Sequence, residues 1–332
     1  MKLQKNSLEW ALNYLHKFGD TDLFPRPIEI DALKAIETDA INTFEKIDLG
    51  NYSFGSARRF IVPKDEISYR TATQLDIVDT IFLTAAIYEY GSLIENRRIQ
   101  VGENKVFSYR FLPQANALYN QNITWVDFWN TCRRKAIDYD YIVCLDIADF
   151  YNQIYHHNIE NQLIESQFPN QLKKWIISLL ESITVKVSRG IPVGPHATHL
   201  LAEMSLIPID KSMLLKGIDF CRYADDIIIF CEEYVQARIV INQIAEILDK
   251  QQRLVIQKQK TKIYKNAIKF REHCTQMIQD RPINENERRI IALIGAYAQN
   301  NPYARVNISK LSNKELQLFE KKILSRLYKN IL

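Results

Sequence analysis

Short apolar runs alternate with longer stretches of helical periodicity in the middle of the chain. Residues 141–151 (YIVCLDIADFY), 220–223 (FCRY) and 227–231 (IIIFC) are apolar and rich in β-branched or aromatic residues, which predicts strands. The stretch YVQARIVINQIAEILDKQQ has apolar residues every three or four positions, which predicts a helix, and LVIQKQKTKIY then returns to strand character. This order of elements is typical of an α+β fold, with a small antiparallel sheet that helices cover on one face.

Helices are predicted toward both ends of the chain. Residues 1–50 have helical spacing, and residues 73–98 do as well, with Gly91 as a weak point. Asn158 is the predicted N-cap of a helix that continues through LKKWIISLLESI. Two further helices are predicted after residue 283, in ENERRIIALIGAYAQ and SKELQLFEKKILSRLYKNIL. Composition marks no boundary between domains.

Composition and charge narrow the class of protein. With 47% hydrophobic and 25% charged residues, the 332-residue chain is predicted to be globular. Its 43 basic and 39 acidic residues leave a net charge of only +4, so any affinity for nucleic acid must come from a local basic surface. The five cysteines form no CxxC pair, which fits a reducing cytoplasm. We expect a cytoplasmic protein with no membrane span and no signal peptide.

Two adjacent carboxylates interrupt the apolar hairpin FCRYADDIIIF. Asp225 and Asp226 lie at its tip, and Asp146 ends the earlier strand YIVCLD, so an antiparallel sheet can bring the three together. Carboxylates about 4 Å apart repel by roughly 4 kcal/mol at an effective dielectric constant of 20, and a divalent cation removes that conflict. Two Mg²⁺ ions can align an attacking hydroxyl with a departing pyrophosphate. The pattern indicates nucleotidyl transfer, although an isolated Asp-Asp pair is also common in ordinary turns.

Four segments carry a resemblance to a known family: LDIADFYNQI, GIPVGPHATHLLAE, YADD and LVIQKQKTKI. They occur in the order of the palm motifs of reverse transcriptases, and the chain resembles that family over about residues 60–265. The resemblance implies a right-hand polymerase. Residues 1–140 would hold an N-terminal helical region and the fingers, 141–270 an RRM-like antiparallel palm, and 271–332 a small helical segment that is thumb-like or an appendage.

The resemblance also implies roles for individual residues in catalysis. Asp146, Asp225 and Asp226 would be the catalytic carboxylates and metal ligands, for Mg²⁺ or, alternatively, Mn²⁺. Lys260 would be the general acid that protonates the departing pyrophosphate. The other interpretation of Lys260 is that it belongs to a solvated run of lysines.

Further residues are implied to bind the substrate. Arg70 would clamp the triphosphate with a bidentate fork, assisted by Lys64. Tyr151 would lie beneath the nucleotide sugar, where its ring excludes a 2′-hydroxyl and favours dNTPs, unless it is simply a core tyrosine. Asp149 is either a turn residue or a contact of the triphosphate. Gly194 would let the backbone approach the nucleotide closely.

The segment RGIPVGPHATHLLAE departs from the usual family pattern. Val193 stands where glutamine is usual, and Thr198 and His199 stand where Ser-Pro is usual. The missing amide removes a contact expected near the nucleotide, so the resemblance does not extend to template dependence. His196 and His199 lie three apart, which suggests either a metal site or packing, and no third ligand has matching spacing.

The segments YRTATQLD, VFSYRF and IPVGPHATHLLAE most resemble the corresponding motifs of the bacterial abortive-infection and defence-associated reverse transcriptases of the unknown group. This implies an RNA-directed DNA polymerase in antiphage defence. Its partners would be dNTPs and nucleic acid, as RNA template and DNA product, with a non-coding RNA or a second copy of the chain as further candidates. Three alternatives stay open: template-independent or protein-primed DNA synthesis by the same site, a retron-type reverse transcriptase, and a non-catalytic nucleic-acid-binding defence subunit.

Overall fold

The computed structural model describes residues 1–20, 26–63, 69–185 and 187–279. The chain divides into two compact units, and the first comprises Met1–Arg59 and Ala72–Ile278. The second comprises Phe60–Thr71 and Gln279–Leu332. Lys64 and the two helices predicted after residue 283 lie outside the described residues. The four-stranded sheet and the core described below belong to the first unit.

Helices and strands follow one another largely in the predicted order. The α-helices of the described ranges are α1 (Lys5–Phe18), α2 (Ile28–Ala35), α3 (Glu37–Phe44), α4 (Ile77–Glu95), α5 (Trp125–Lys135), α6 (Phe150–Gln153), α7 (His156–Glu165), α8 (Asn170–Ile183), α9 (His196–Leu215), α10 (Tyr234–Gln252) and α11 (Ala267–Gln279). The strands are β1 (Arg58–Pro63), β2 (Tyr69–Gln74), β3 (Phe111–Gln114), β4 (Ala117–Tyr119), β5 (Tyr141–Asp146), β6 (Phe220–Tyr223), β7 (Asp226–Cys231) and β8 (Lys262–Tyr264).

A four-stranded antiparallel sheet with the strand order β6-β7-β5-β8 forms the centre of the unit. β5 and β7 pair residue by residue, from Tyr141 opposite Cys231 to Asp146 opposite Asp226. Because side chains alternate along a strand, this register decides which residues of β5 and β7 share a face.

Both faces of this sheet are buried, so the prediction of helices on one face is wrong. Val143 and Ile229 face the main core, on the side where α10 contacts β5 and β7. Ile142 and Phe230 face a second cluster built with residues of α5 and α11. This burial explains the uninterrupted apolar run of β7, because a strand that is buried on both faces needs apolar residues at odd and even positions.

The helix predicted over residues 73–98 is shorter than its periodicity suggested. β2 occupies the chain as far as Gln74, and Asp76 then caps α4 by accepting a hydrogen bond from the Val78 amide at 2.9 Å. A local cap therefore decides where the helix begins.

Gly91 allows α4 to pack closely against its neighbours. A Cβ atom at this position would lie 2.6 Å from Phe111 and 2.9 Å from Leu200, so only glycine fits without a shift. Among the described residues α4 is also the one helix long and apolar enough to cross a membrane, judged by length and composition alone. Inside this protein 61% of its apolar window is buried, as is typical of a core helix.

Asn158 does not cap one long helix, which corrects the prediction for this region. α7 begins at His156, with Tyr155 in the N-cap position. The chain then breaks between α7 and α8, where Gln167 has a φ of +59° and Pro169 precedes the first residue of α8. Proline cannot donate a helical hydrogen bond and disfavours helical backbone in the residue before it, so two helices form instead of one.

Candidate active site

The ends of β5 and β7 bring the predicted carboxylates together. Asp146 is the last residue of β5, and it lies directly opposite Asp226, the first residue of β7. Opposite residues of an antiparallel pair place their side chains on one face, with Cβ atoms about 4.5–5.5 Å apart. Asp225 belongs to the adjoining turn, where its carbonyl accepts a hydrogen bond from the Ile147 amide at 3.2 Å. The three aspartates therefore lie together at one end of the sheet, and their chemical roles stay predictions.

The tip of the hairpin is held in an unusual backbone conformation. Tyr223 pairs with Asp226, so Ala224 and Asp225 form the two-residue tip. Ala224 has a φ of +51°, in the left-handed region that costs a non-glycine residue roughly 1–2 kcal/mol. Its amide donates to the Ser108 hydroxyl at 2.8 Å, and its carbonyl accepts from the Arg222 guanidinium at 3.0 Å. These two bonds hold the peptide that precedes the paired aspartates.

A buried ion network lies directly behind this tip. Arg222 is fully buried and donates two hydrogen bonds to Asp210, of 2.7 and 2.6 Å, and two to Glu203, of 3.2 and 3.0 Å. Glu203 also accepts from Arg98 at 2.6 Å and from the Ser108 hydroxyl at 2.5 Å. Burial alone would raise the pKa of Glu203, but the guanidinium groups of Arg222 and Arg98 hold that pKa below its ordinary value.

Sequence reasoning missed this network. The signal available was the presence of charged residues inside apolar stretches, Arg222 in FCRY and Glu203 and Asp210 in a helix that is otherwise mostly buried. Such residues are almost never fully buried unless they are paired. The pairing itself joins β6 to α9, so neither segment identifies its partner.

Lys260 lies beside the aspartates. It ends a short 3₁₀ turn, and that turn is tied to β5 because the Gln257 amide donates to the Asp146 carbonyl at 2.8 Å. The Lys260 ammonium forms an ion pair with the Asp146 carboxylate. Burial alone would lower the pKa of Lys260, but the hydrogen bond to Asp146 and the charges of Asp146, Asp226 and Asp225 raise it. The ammonium therefore offsets part of the negative charge of the cluster.

The donor chemistry of this cluster fits a divalent cation. Asp146, Asp225 and Asp226 offer hard carboxylate oxygens, the ligands that Mg²⁺ prefers. Within the described ranges, no group of three or more His, Cys, Asp or Glu side chains is arranged as a preformed metal cage. The carboxylate of Asp146 is instead paired with Lys260.

Tyr151 follows β5 in α6 and packs partly buried against the main core. Its hydroxyl lies 2.6 Å from Nδ1 of His199, and the two rings are perpendicular, with centroids 5.8 Å apart. The backbone carbonyl of Tyr151 accepts a hydrogen bond from the Ile191 amide at 2.9 Å. The residue is thus a core contact with a partly exposed ring, and its position beneath a nucleotide sugar stays a prediction.

The two histidines of α9 each contact a tyrosine. Nδ1 of His196 lies 2.9 Å from the Tyr14 hydroxyl, as Nδ1 of His199 lies beside the Tyr151 hydroxyl. Burial lowers the pKa of His199 to about 3, so its imidazole is neutral. These contacts favour packing over a metal site as the interpretation of the pair.

The loop before α9 is held by backbone hydrogen bonds on both sides. Gly190 has a φ of +97°, and its amide donates to the Ile154 carbonyl at 2.8 Å. Val193 accepts from the Thr73 amide at 2.8 Å, and Gly194 follows with a φ of +138°. Both glycines occupy conformations that other residues rarely adopt, so their positions are set by backbone geometry. The approach of a nucleotide to Gly194 stays a prediction.

Asp149 and Arg70 complete the predicted set. Asp149 is exposed in the turn after β5, with a φ of +47°, and its carboxylate accepts a hydrogen bond of 2.7 Å from Asn152 and one of 3.3 Å from Gln153. This arrangement satisfies its interpretation as a turn residue. Arg70 is exposed on the part of β2 that belongs to the second unit. A triphosphate contact of either residue stays a prediction.

Comparisons with known proteins bear on this site. The family model described as reverse transcriptase (RNA-dependent DNA polymerase) matches residues 89–273, more than half of the chain and every predicted site residue except Lys64 and Arg70. No curated protein matches the sequence. Among solved structures, the apo telomerase from Candida tropicalis is similar over 70% of this chain and 49% of that chain, with 10% sequence identity and a TM-score of 0.43. The similar region thus spans about half the length of that telomerase chain.

Proposed function

The chain belongs to the reverse transcriptase (RNA-dependent DNA polymerase) family, and we propose that it extends a DNA primer along an RNA template with dNTPs. It carries an RNA-directed DNA polymerase domain, and this activity is a nucleotidyl transfer. The observation that supports the site is the meeting of Asp146 and Asp226 as opposite partners, with Asp225 in the adjoining turn. In this proposal the four-stranded sheet is the palm, the fingers lie within residues 1–140, and residues 271–332 are thumb-like or an appendage.

Reverse transcriptase domains generally use divalent metal ions, and we propose Mg²⁺, with Mn²⁺ as the alternative. Asp146, Asp225 and Asp226 would hold the ions. A bound ion supplies charge neutralisation at the phosphates and lowers the pKa of the attacking hydroxyl. By holding the ions, the three carboxylates would fix where the phosphates bind, so catalysis would be mainly positioning.

The reaction joins a primer oxygen to a nucleotide. The 3′-hydroxyl gives its proton to solvent water as its oxygen attacks the α-phosphorus, and the bond from that phosphorus to the oxygen that bridges it to the β-phosphate breaks. Lys260, already within reach of Asp146, donates a proton to the departing pyrophosphate. Asp149 contacts the triphosphate, Gly194 lets the backbone approach the nucleotide, and Tyr151 screens the sugar.

Primer extension tests this proposal. The purified protein receives an RNA template with an annealed DNA primer, dNTPs and Mg²⁺, and the extended products are counted by length. Wild type is expected to extend the primer, to stop on chelation and to resume when Mg²⁺ is restored. Asp225→Asn and Asp226→Asn keep the side-chain volume but lose the charge, and we expect at least a roughly hundredfold loss of rate.

Asp140→Asn is the matched control. Asp140 is an exposed carboxylate immediately before β5, at the opposite end of the strand from Asp146. Its substitution is expected to leave extension unchanged. Full extension by Asp225→Asn and Asp226→Asn would remove the basis of the proposal, and nucleic-acid binding without extension by wild type would favour a non-catalytic binding subunit.

Template-independent or protein-primed synthesis is a second candidate, and Val193 favours it. An apolar, partly exposed side chain stands there in place of the amide that the family pattern predicts. Incubation with one dNTP and no template distinguishes the two activities. Long homopolymer supports the second candidate, whereas a strict need for added RNA supports templated synthesis.

We further propose that the enzyme acts in the bacterial cytoplasm in antiphage defence. This proposal is based only on the resemblance of its motif sequences to those of the defence-associated group. Phage plating on cells that express wild type or Asp225→Ala tests this role, and protection that survives the substitution in folded protein would contradict a catalytic one. Sequencing of the nucleic acid that copurifies with the protein would identify the template, the product and any non-coding RNA, and would separate a retron-type enzyme from the defence group. Light scattering of the purified protein would show whether it forms a homo-oligomer.

A further inference from the structure

A column of four aromatic rings connects the predicted sugar gate to the catalytic hairpin. The rings of Tyr151 and His199 have centroids 5.8 Å apart, and Tyr109 stacks on His199 at 4.1 Å with an interplanar angle of 13°. Tyr109 in turn lies 6.1 Å from Tyr223, the residue that precedes the tip of the hairpin. The column therefore runs from α6 through α9 to β6.

The contact between Tyr151 and His199 is a short hydrogen bond between two uncharged groups. The distance from the hydroxyl oxygen to Nδ1 is 2.6 Å. Burial lowers the pKa of His199 to about 3 and raises that of Tyr151 well above its ordinary value, so the imidazole is neutral and the phenol keeps its proton. Two uncharged groups can form this bond in either direction, according to which imidazole nitrogen carries the proton, and in both cases the bond ties the two rings together.

Tyr109 is itself held in place by its backbone. Its φ of +43° lies in the left-handed region, where a non-glycine residue needs support from its surroundings. Arg98 supplies that support, because it donates to the Tyr109 carbonyl at 2.9 Å and to the Ser108 carbonyl at 2.7 Å. The buried ion network therefore also fixes the ring that stacks on His199.

We propose that His199 is the positioning residue of Tyr151, and that it sets the discrimination between deoxyribonucleotides and ribonucleotides. The hydrogen bond and the stack hold the Tyr151 ring in one orientation, in which it excludes a 2′-hydroxyl. This inference rests on the proposed polymerase function. His199 stands where the family pattern has proline, which accepts no side-chain hydrogen bond, so the resemblance does not imply this pair.

The test measures kcat/KM for single incorporation of a dNTP and of the matching rNTP. Tyr151→Phe removes only the hydroxyl, and His199→Phe keeps an aromatic ring but removes the nitrogen bonded to that hydroxyl. We expect each variant to reduce the dNTP preference by roughly threefold to tenfold, as for the loss of one hydrogen bond, mainly through a higher kcat/KM for the rNTP. The double variant is expected to lose no more than either single variant, because both remove the same bond.

Tyr14→Phe is the matched control. It removes a hydroxyl from the other tyrosine–histidine contact, that with His196 one turn earlier in α9. Its dNTP preference should equal that of wild type. His199→Gln, which restores a hydrogen-bonding group without the ring, is expected to recover part of the preference.

The outcomes separate this inference from the proposed function. Wild type that incorporates no dNTP contradicts the polymerase itself. Wild type with a clear dNTP preference that Tyr151→Phe leaves unchanged contradicts the positioning role, even if the preference of His199→Phe falls. An equal fall in kcat/KM for both nucleotides also contradicts it, because it indicates a purely structural contact. Thermal unfolding checks that each variant is folded, and Tyr151→Phe, the smallest change, decides the question by itself.

Discussion

Ser108→Ala is the sharpest test of the network behind the hairpin tip. The Ser108 hydroxyl is fully buried, donates to Glu203 at 2.5 Å and accepts from the Ala224 amide at 2.8 Å. Alanine fits the same space but leaves the Ala224 amide without its acceptor and Glu203 without one of its donors. Each buried polar group that loses its partner costs about 1–3 kcal/mol, so for these two groups we expect the free energy of unfolding to fall by about 2–6 kcal/mol.

The same substitution is expected to slow catalysis. Ala224 precedes Asp225 and Asp226 and has a strained backbone, so loss of its hydrogen bond lets the tip relax away from Asp146. The measurements are urea unfolding followed by circular dichroism and single-turnover primer extension. We expect the rate of the chemical step to fall while the KM for dNTP changes little.

Ser205→Ala is the matched control for this prediction. Ser205 is also fully buried, but its hydroxyl donates only to the Ala202 carbonyl of its own helix, at 2.7 Å. Its substitution is expected to cost about 1 kcal/mol or less. If Ser108→Ala destabilises the protein no more than Ser205→Ala does, the network does not hold the tip. An unchanged rate of the chemical step would show that the network stabilises the fold without positioning the aspartates.

Three other substitutions test separate features. Lys260→Ala removes the cation paired with Asp146, and single-turnover extension should slow by roughly a hundredfold or more as the general acid is lost; a rate within twofold of wild type would contradict that role. Gly91→Ala places a Cβ within 2.6 Å of Phe111. The resulting overpacking costs about 1–3 kcal/mol, which should exceed the roughly 1 kcal/mol that alanine gains in helix propensity. The urea midpoint should therefore fall; a rise would contradict the close packing. Burial raises the pKa of Asp20 from 3.8 to about 8, so the folded state keeps a proton that the unfolded state loses, and stability conferred by this group falls as the pH rises between those values. Asp20→Asn should therefore gain stability relative to wild type as the pH rises from 4 to 8, by at most about 1.4 kcal/mol per pH unit. Urea unfolding measures the difference in free energy of unfolding between the two proteins, and a difference that does not change with pH would refute the raised pKa of Asp20.

Local signals in the sequence determined most of the elements and the chemistry of the site. The helix predicted from YVQARIVINQIAEILDKQQ has the bounds Tyr234–Gln252, since its periodicity is uninterrupted and its ends coincide with the change of pattern. The apolar, β-branched character of YIVCLD and IIIFC likewise predicts two strands, and it predicts Asp146 and the Asp225–Asp226 pair at their ends. Once the two strands pair antiparallel, their register alone decides whether these aspartates meet.

Only the tertiary structure decided which side chains contact the predicted site residues and the hairpin tip. The pairing of Arg222 with Glu203, the contact of Lys260 with Asp146 and the bond from Tyr151 to His199 each join segments far apart in the chain. A periodic pattern states which face of an element is buried, but it does not state what lies opposite. The second buried face of the sheet was missed for the same reason, because the helices that cover it come from either side of the strands in sequence.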